Sequence, residues 1–77
     1  MNQVVLIGRL VMIGDFFLKI SVADKKRGKQ IIPIEATEMI IRSVQENGRI
    51  DNVIGVKGKV EVDNEIKIKA EKITFLS

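Results

Sequence analysis

Thr37-Glu38-Met39-Ile40-Ile41-Arg42-Ser43-Val44-Gln45-Glu46-Asn47-Gly48 is the stretch in which the hydrophobic period of this chain changes. Thr37 suits an N-cap, and Glu38 suits the positive end of a helix dipole. Met39, Ile40 and Val44, with Ile41 beside them, make an apolar stripe at helical spacing. Glu38 and Arg42 stand four apart in the favourable order, and Gly48 takes the usual C′ role. The spacing predicts a helix over about residues 38–47 that covers a core. Everything on either side of it runs with a period of two.

Upstream, Val4, Leu6, Gly8 and Leu10 alternate with Gln3, Val5, Ile7 and Arg9, a strand over roughly residues 2–11. Both of its faces are apolar, so Val5 and Ile7 need cover, either from a lid within the chain or from a second copy. After a bend at Ile13-Gly14-Asp15, a second strand covers about residues 16–23. Its core face is read as Phe16, Leu18, Ile20 and Val22. Its other face carries Phe17, Lys19 and Ser21, a polar surface with one large ring. The turn Asp24-Lys25-Lys26-Arg27-Gly28-Lys29 holds four cations in six residues. A third strand follows at about residues 30–36. Pro33 cannot donate to a ladder, which places it where that strand is unpaired on one side.

Downstream, Ile54, Val56, Gly58, Val60 and Val62 alternate with Gly55, Lys57, Lys59 and Glu61; Ile66, Ile68 and Ala70 alternate with Lys67, Lys69 and Glu71. The apolar phase then moves to Ile73 and Phe75, which predicts a bulge near Glu71-Lys72. For the lysines of the last two strands to share a face, paired residue numbers must have an even sum. A three-residue loop Asp63-Asn64-Glu65 satisfies this. That register sets Glu61 opposite Lys67, Lys57 opposite Glu71, and Lys59 opposite Lys69. The last pair is unfavourable; either solvent screens it or a bound phosphate sits between the two. The order β-β-β-α-β-β is that of a five-stranded OB-fold barrel, all-β with one helix, as a single domain over residues 1–77.

Composition narrows the function. The 77 residues are 45% hydrophobic and 30% charged, with a net charge of +3, no Cys and no His. Disulfides, thiolate metal sites and the commonest general base are therefore excluded. The remaining acids, among them Asp15, Asp24, Glu35 and Glu38, have no metal-ligand or paired-carboxylate spacing, so neither an enzyme nor a cofactor is expected. No stretch reaches the ~20 apolar residues of a membrane span, and Met1-Asn2-Gln3 does not open a secretory signal. A cytoplasmic protein without membrane contact is the expectation.

Met1-Asn2-Gln3-Val4-Val5-Leu6-Ile7-Gly8-Arg9-Leu10 resembles the opening strand of bacterial and phage single-stranded DNA-binding proteins, with its Asn-x-Val-x-Leu-x-Gly-x-Leu spacing. Val56-Lys57-Gly58-Lys59-Val60 is similar to their fourth strand and Ala70-Glu71-Lys72-Ile73-Thr74-Phe75-Leu76 to their closing one. Leu18-Lys19-Ile20-Ser21-Val22-Ala23 fits their second strand more loosely. Roughly half the chain matches, in the family's order. The resemblance implies sequence-nonspecific binding of single strands in replication, recombination and repair. It also implies a homo-oligomer, dimer or tetramer, joined through Gln3, Val5, Ile7 and Arg9 of the first strand.

Three departures shape what carries over. Trp and Tyr are absent, and Ala36 and Thr37 stand where an aromatic is expected. The loops between the first two and the last two strands are short. The sequence stops at Ser77, without the acidic tail through which relatives recruit partners. The expected nucleic-acid contacts are therefore phosphates held by Lys19, Lys25, Lys26, Arg27, Lys29, Lys57, Lys59, Lys67 and Lys69, with Phe17 as the stacking ring. A barrel that serves as a protein-interaction or primosome-type assembly module is the alternative. An RNA-binding barrel is a second alternative, which the lack of a cold-shock aromatic motif weakens.

Overall fold

Alternation leaves each strand with at least one aliphatic face, and a sheet with such a face has to cover it. Here the sheet covers it by closing on itself. The computed structural model describes residues 2–77; Met1, the first residue of the opening motif, lies outside them. The elements in chain order are β1 (Gln3–Ile13), β2 (Phe17–Asp24), β3 (Gly28–Glu35), α1 (Glu38–Asn47), β4 (Val53–Asp63) and β5 (Glu65–Phe75). Hydrogen bonding runs β1-β2-β3-β5-β4 and back to β1, a closed barrel. Neighbours are antiparallel except β3 and β5, which meet in parallel at Glu35 and Lys69. This is the expected OB-fold order.

Leu10, Leu18, Ile20, Ile34, Ile54 and Val56 fill the interior beside Ala36 and Ala70, and α1 adds Ile41 and Val44. Each such large side chain contributes roughly 1.5–3 kcal/mol on burial. Two bulges bend the strands so that the barrel can close. In β5 the extra residue is Glu71, since Lys57 faces Lys72 while Gly58 faces Ala70; the sequence predicted this one. In β1 it is Val11, between Leu10 opposite Ile20 and Met12 opposite Lys19. That second bulge carries β1 to Ile13, beyond the predicted end, and turns Ile13 back toward the core. Pro33 sits where β3 has left β5, whose ladder with it is the single pair Glu35–Lys69, so its missing N–H costs nothing.

The helix forms as its caps dictate: the Ile40 N–H donates to Thr37 Oγ1 at 3.3 Å, and Arg42 bonds Glu38 at 3.1 Å. Two expectations about it are corrected. Met39 is 82% exposed, because at 100° per residue it lies on the far side from Ile41 and Val44. Gly48 is extended (φ −116°), not left-handed; its N–H donates to the Val44 carbonyl. A glycine is needed there for space, because a Cβ would stand 2.5 Å from the ring of Phe75.

A third correction concerns Phe16. It precedes β2 within the bend and is 63% exposed, whereas extending the strand alternation into the turn had placed it in the core. Its carbonyl accepts from the Ala36 N–H at 2.9 Å, tying the bend to the end of β3.

Gly8 is buried where β1 crosses β2, and a Cβ there would stand 2.5 Å from the Ser21 carbonyl oxygen. Gly8→Ala is therefore expected to cost about 1–3 kcal/mol in a urea melt, as overpacking against backbone does. Gly55→Ala, whose Cβ would meet nothing closer than 3.7 Å, should stay within about 0.5 kcal/mol of the parent. Equal losses at the two positions would contradict the packing described.

Candidate nucleic-acid interface

Residues opposite one another in a ladder point to the same side of the sheet, so register alone links side chains across the barrel. Phe17 is opposite Glu35, Glu35 opposite Lys69, Lys69 opposite Lys59, and Lys59 opposite Gln3. These five residues form one outward-facing belt over β2, β3, β5, β4 and β1. At ~4.8 Å per strand, Phe17 and Lys59 are on the order of 14 Å apart. Beside the belt, Lys19 faces Pro33 and Lys67 faces Glu61. Phe17 and Lys67 line one groove together with Pro33, Ile66 and Ile68. Phe16 and Lys69 line a second with Ala36, Thr37 and Ala70. Glu35 borders both.

The Phe17 ring is half-buried and rests on Gly14, where a Cβ would collide with it. The sequence assigned one ring to the outer surface; the fold puts two there, Phe16 and Phe17, on either side of Glu35.

Charge on the belt differs from expectation. Lys59 does stand opposite Lys69, and Glu61 opposite Lys67. The like-charge pair is relieved by diagonal glutamates: Lys59 Nζ is 3.7 Å from Glu71 and Lys69 Nζ 3.3 Å from Glu61. Lys67 is 3.9 Å from Glu65. No phosphate is needed to explain the juxtaposition. These are exposed pairs, each worth roughly 0–1 kcal/mol, so a polyanion can exchange for the carboxylates at little cost. Lys57 faces Lys72, not Glu71, because the bulge advances the register by one. Among the described residues, Lys19, Lys25, Lys26, Arg27, Lys29, Lys57 and Lys72 have no carboxylate within ion-pair distance.

The remaining sequence-predicted cations lie elsewhere. Lys25, Lys26 and Arg27 form the tight turn between β2 and β3, with the ladder continuing to Asp24 opposite Gly28. The Lys26 N–H donates to Asp24 Oδ1 at 2.9 Å and Gly28 has φ +80°, so the segment is a tight hairpin end. From Phe17 to Ala23 the strand climbs about 20 Å, which puts these cations at the far end of β2. Lys29 shares a groove with Arg9, Ile7 and Ser21. Val5 and Ile7 are 67% and 58% exposed, so no helix or loop of the described residues covers them. Lys57 stands opposite Val5, and Leu76 lies over Gly55, opposite Ile7, which extends the apolar strip.

Sequence reading missed Phe16, Glu35 and Lys72. The first was hidden by the turn and the last by the bulge. The signal available for Glu35 was its place beside Pro33 at a strand end, where pairing to a fifth strand is open. Among the described residues no three carboxylates gather as a metal site.

No protein-family profile matches the sequence, and no curated protein matches it. Solved structures do match the fold. The mitochondrial single-stranded DNA binding protein Rim1 from S. cerevisiae aligns with a TM-score of 0.80 at 17% identity, over 99% of this chain and 94% of that one. The dimeric N-terminal domain of PriB from Thermoanaerobacter tencongensis aligns with a TM-score of 0.77 at 16% identity, over 99% and 97%. A deletion variant of the single-stranded DNA binding protein from Thermus aquaticus aligns with a TM-score of 0.79 at 17% identity, over 100% of this chain and 42% of that one. Likeness at these identities establishes the OB-fold.

The diagonal ion pairs give a stability prediction. With Glu61→Gln and Glu71→Gln combined, Lys59 and Lys69 face each other uncompensated. The double variant should lose about 0.5–1 kcal/mol in a urea melt at low salt, and high salt should abolish the loss. A loss that persists in high salt would mean that the glutamates act through packing instead.

Proposed function

We propose that this chain binds single-stranded DNA along the outer belt, as an assembly of two or more copies, and that it catalyses no reaction on the strand. The observation that carries the reading is the unbroken register Phe17–Glu35–Lys69–Lys59–Gln3, flanked by Lys19 and Lys67. A strand lying across it meets a phenyl platform at one end and ammonium groups at the spacing of the β-strands. Lys57 and Lys72 extend the cationic surface over β4 and β5, and Lys25, Lys26, Arg27 and Lys29 extend it along the hairpin. Two of the similar folds are single-stranded DNA binding proteins by name, which supports the same use of this barrel. Replication, recombination and repair in the cytoplasm are the settings that such a coat serves.

Few rings and many lysines make the binding chiefly electrostatic. Affinity for oligothymidylate should fall with salt by about 0.7 log units per neutralised phosphate for each log unit of salt. Phe17→Ala should weaken binding roughly tenfold or more at every salt concentration and leave that slope unchanged, since a stacked base releases few ions. Replacing Lys25, Lys26 and Arg27 by Ala should flatten the slope by about 2. Affinity insensitive to salt in the parent chain would overturn the reading.

The assembly rests on β1. Val5 and Ile7 form, with Leu76, an apolar strip on an edge that is otherwise charged, and contiguous exposed apolar surface marks an interaction site. A second copy, with Gln3 and Arg9 at its rim, covers the strip by the same surface on both partners. Ile7→Asp is therefore expected to give monomers in sedimentation velocity, where the parent gives dimers or tetramers. A monomeric parent at DNA-binding concentrations would contradict this. A protein-assembly module is the second reading, favoured by the glutamates that neutralise Lys59, Lys67 and Lys69. It predicts no affinity for the oligonucleotide at any salt concentration.

A further inference from the structure

Glu35 ends β3 at the centre of the belt, between Phe17 and Lys69. Its side chain borders both grooves, one of about 310 Å³ with Phe16, Ala36, Thr37 and Lys69, the other of about 200 Å³ with Phe17, Pro33, Ile66 and Lys67. Among the described residues, Glu35 Oε2 is the one buried side-chain oxygen or nitrogen with no hydrogen-bond partner. Lys69, its ladder neighbour, instead holds Glu61 at 3.3 Å. A buried acceptor left unpaired is costly and is normally explained by something that pairs with it.

An ionised carboxylate only accepts hydrogen bonds, and a phosphate is repelled by it. What suits two grooves that each carry a phenyl ring and meet at an unpaired carboxylate is a base that presents N–H groups. Bases differ in this respect. Cytosine offers its N4 amino group, whereas thymine offers the O4 carbonyl oxygen at the equivalent position. The terminal torsion of a glutamate is soft, so either oxygen can turn toward such a donor.

We infer that Glu35 makes the barrel prefer cytosine over thymine, accepting from the N4 amino group of a base stacked on a phenyl ring in one of the two grooves it borders. This rests on the DNA-binding reading above and adds base preference to it. The lysines hold the strand irrespective of sequence, and the carboxylate discriminates by favouring an amino group and repelling a carbonyl.

The test is fluorescence anisotropy of the full chain with labelled oligodeoxycytidylate and oligothymidylate of equal length, at mildly alkaline pH where cytosine is unprotonated. The parent should bind the cytosine oligomer roughly fivefold tighter, the size of one good hydrogen bond. Glu35→Ala should bring the ratio to about one, partly by binding the thymine oligomer more tightly than the parent does, because a repulsive group has gone. Glu35→Gln, which can offer either a donor or an acceptor, should also lose the preference. Thermal melting accompanies each variant. Neither should melt below the parent, because the oxygen removed had no partner; if the alanine variant unfolds, the glutamine variant carries the comparison. Equal affinity of the parent for both oligomers overturns the inference and leaves DNA binding standing, as does a preference that survives both substitutions. No binding to either oligomer overturns both.

Discussion

Glu35 and Lys69 form the single parallel pair that closes this barrel, and two consequences follow from it. Inside, closure lets Leu10, Leu18, Ile20, Ile34, Ile54 and Val56 cover one another without a second sheet. Outside, it puts the phenyl ring of β2 on one belt with the lysines of β5 and β4, which by way of β1 are separated by the length of that strand. The bulges at Val11 and Glu71 bend β1 and β5 enough for the contact to form. With few residues and no disulfide, this small chain depends on that closure for its core.

Closure also sets the character of the surface. Twisted strands bring diagonal neighbours close, so Glu61 and Glu71 reach the lysines next to their own partners. The belt is thus neutralised where it is most crowded, and open cations remain at its margins and on the β2–β3 hairpin. The ion pairs on the belt are exposed and weak, so a polyanion would displace them at little cost. The aromatic rings beside the belt are Phe16 and Phe17. Val5 and Ile7 lie on the outer face of β1, beyond Gln3 at the belt's end, so the surfaces proposed for self-association and for strand binding adjoin.

Much of this was legible in the sequence. Period-two alternation located five strands, the switch at Thr37 located the helix, and the shift of phase after Ala70 located one bulge. Parity alone sets Lys59 opposite Lys69, and the ladder has that pair. What escaped has a common cause: alternation carries no information about where it stops. Phe16 kept its core phase on paper although the strand begins one residue later, and Lys57 kept Glu71 as partner although the bulge hands it Lys72. Met39 needed the angle to Ile41 and Val44, and Gly48 needed the ring of Phe75, a contact distant in sequence. The diagonal glutamates and the bare oxygen of Glu35 depend on three-dimensional twist and burial, which no one-dimensional pattern encodes.

On the proposed reading a single strand of DNA lies on the outer belt. Backbone amide shifts of the isotope-labelled chain, followed during titration with a short unlabelled oligonucleotide, read this most directly. The amides of Phe16, Phe17, Lys19, Glu35, Lys59, Lys67 and Lys69 should move together, while the solvent face of α1 around Ser43 and Glu46 stays still. Shifts confined to the helix, or none at saturating oligonucleotide, would contradict it.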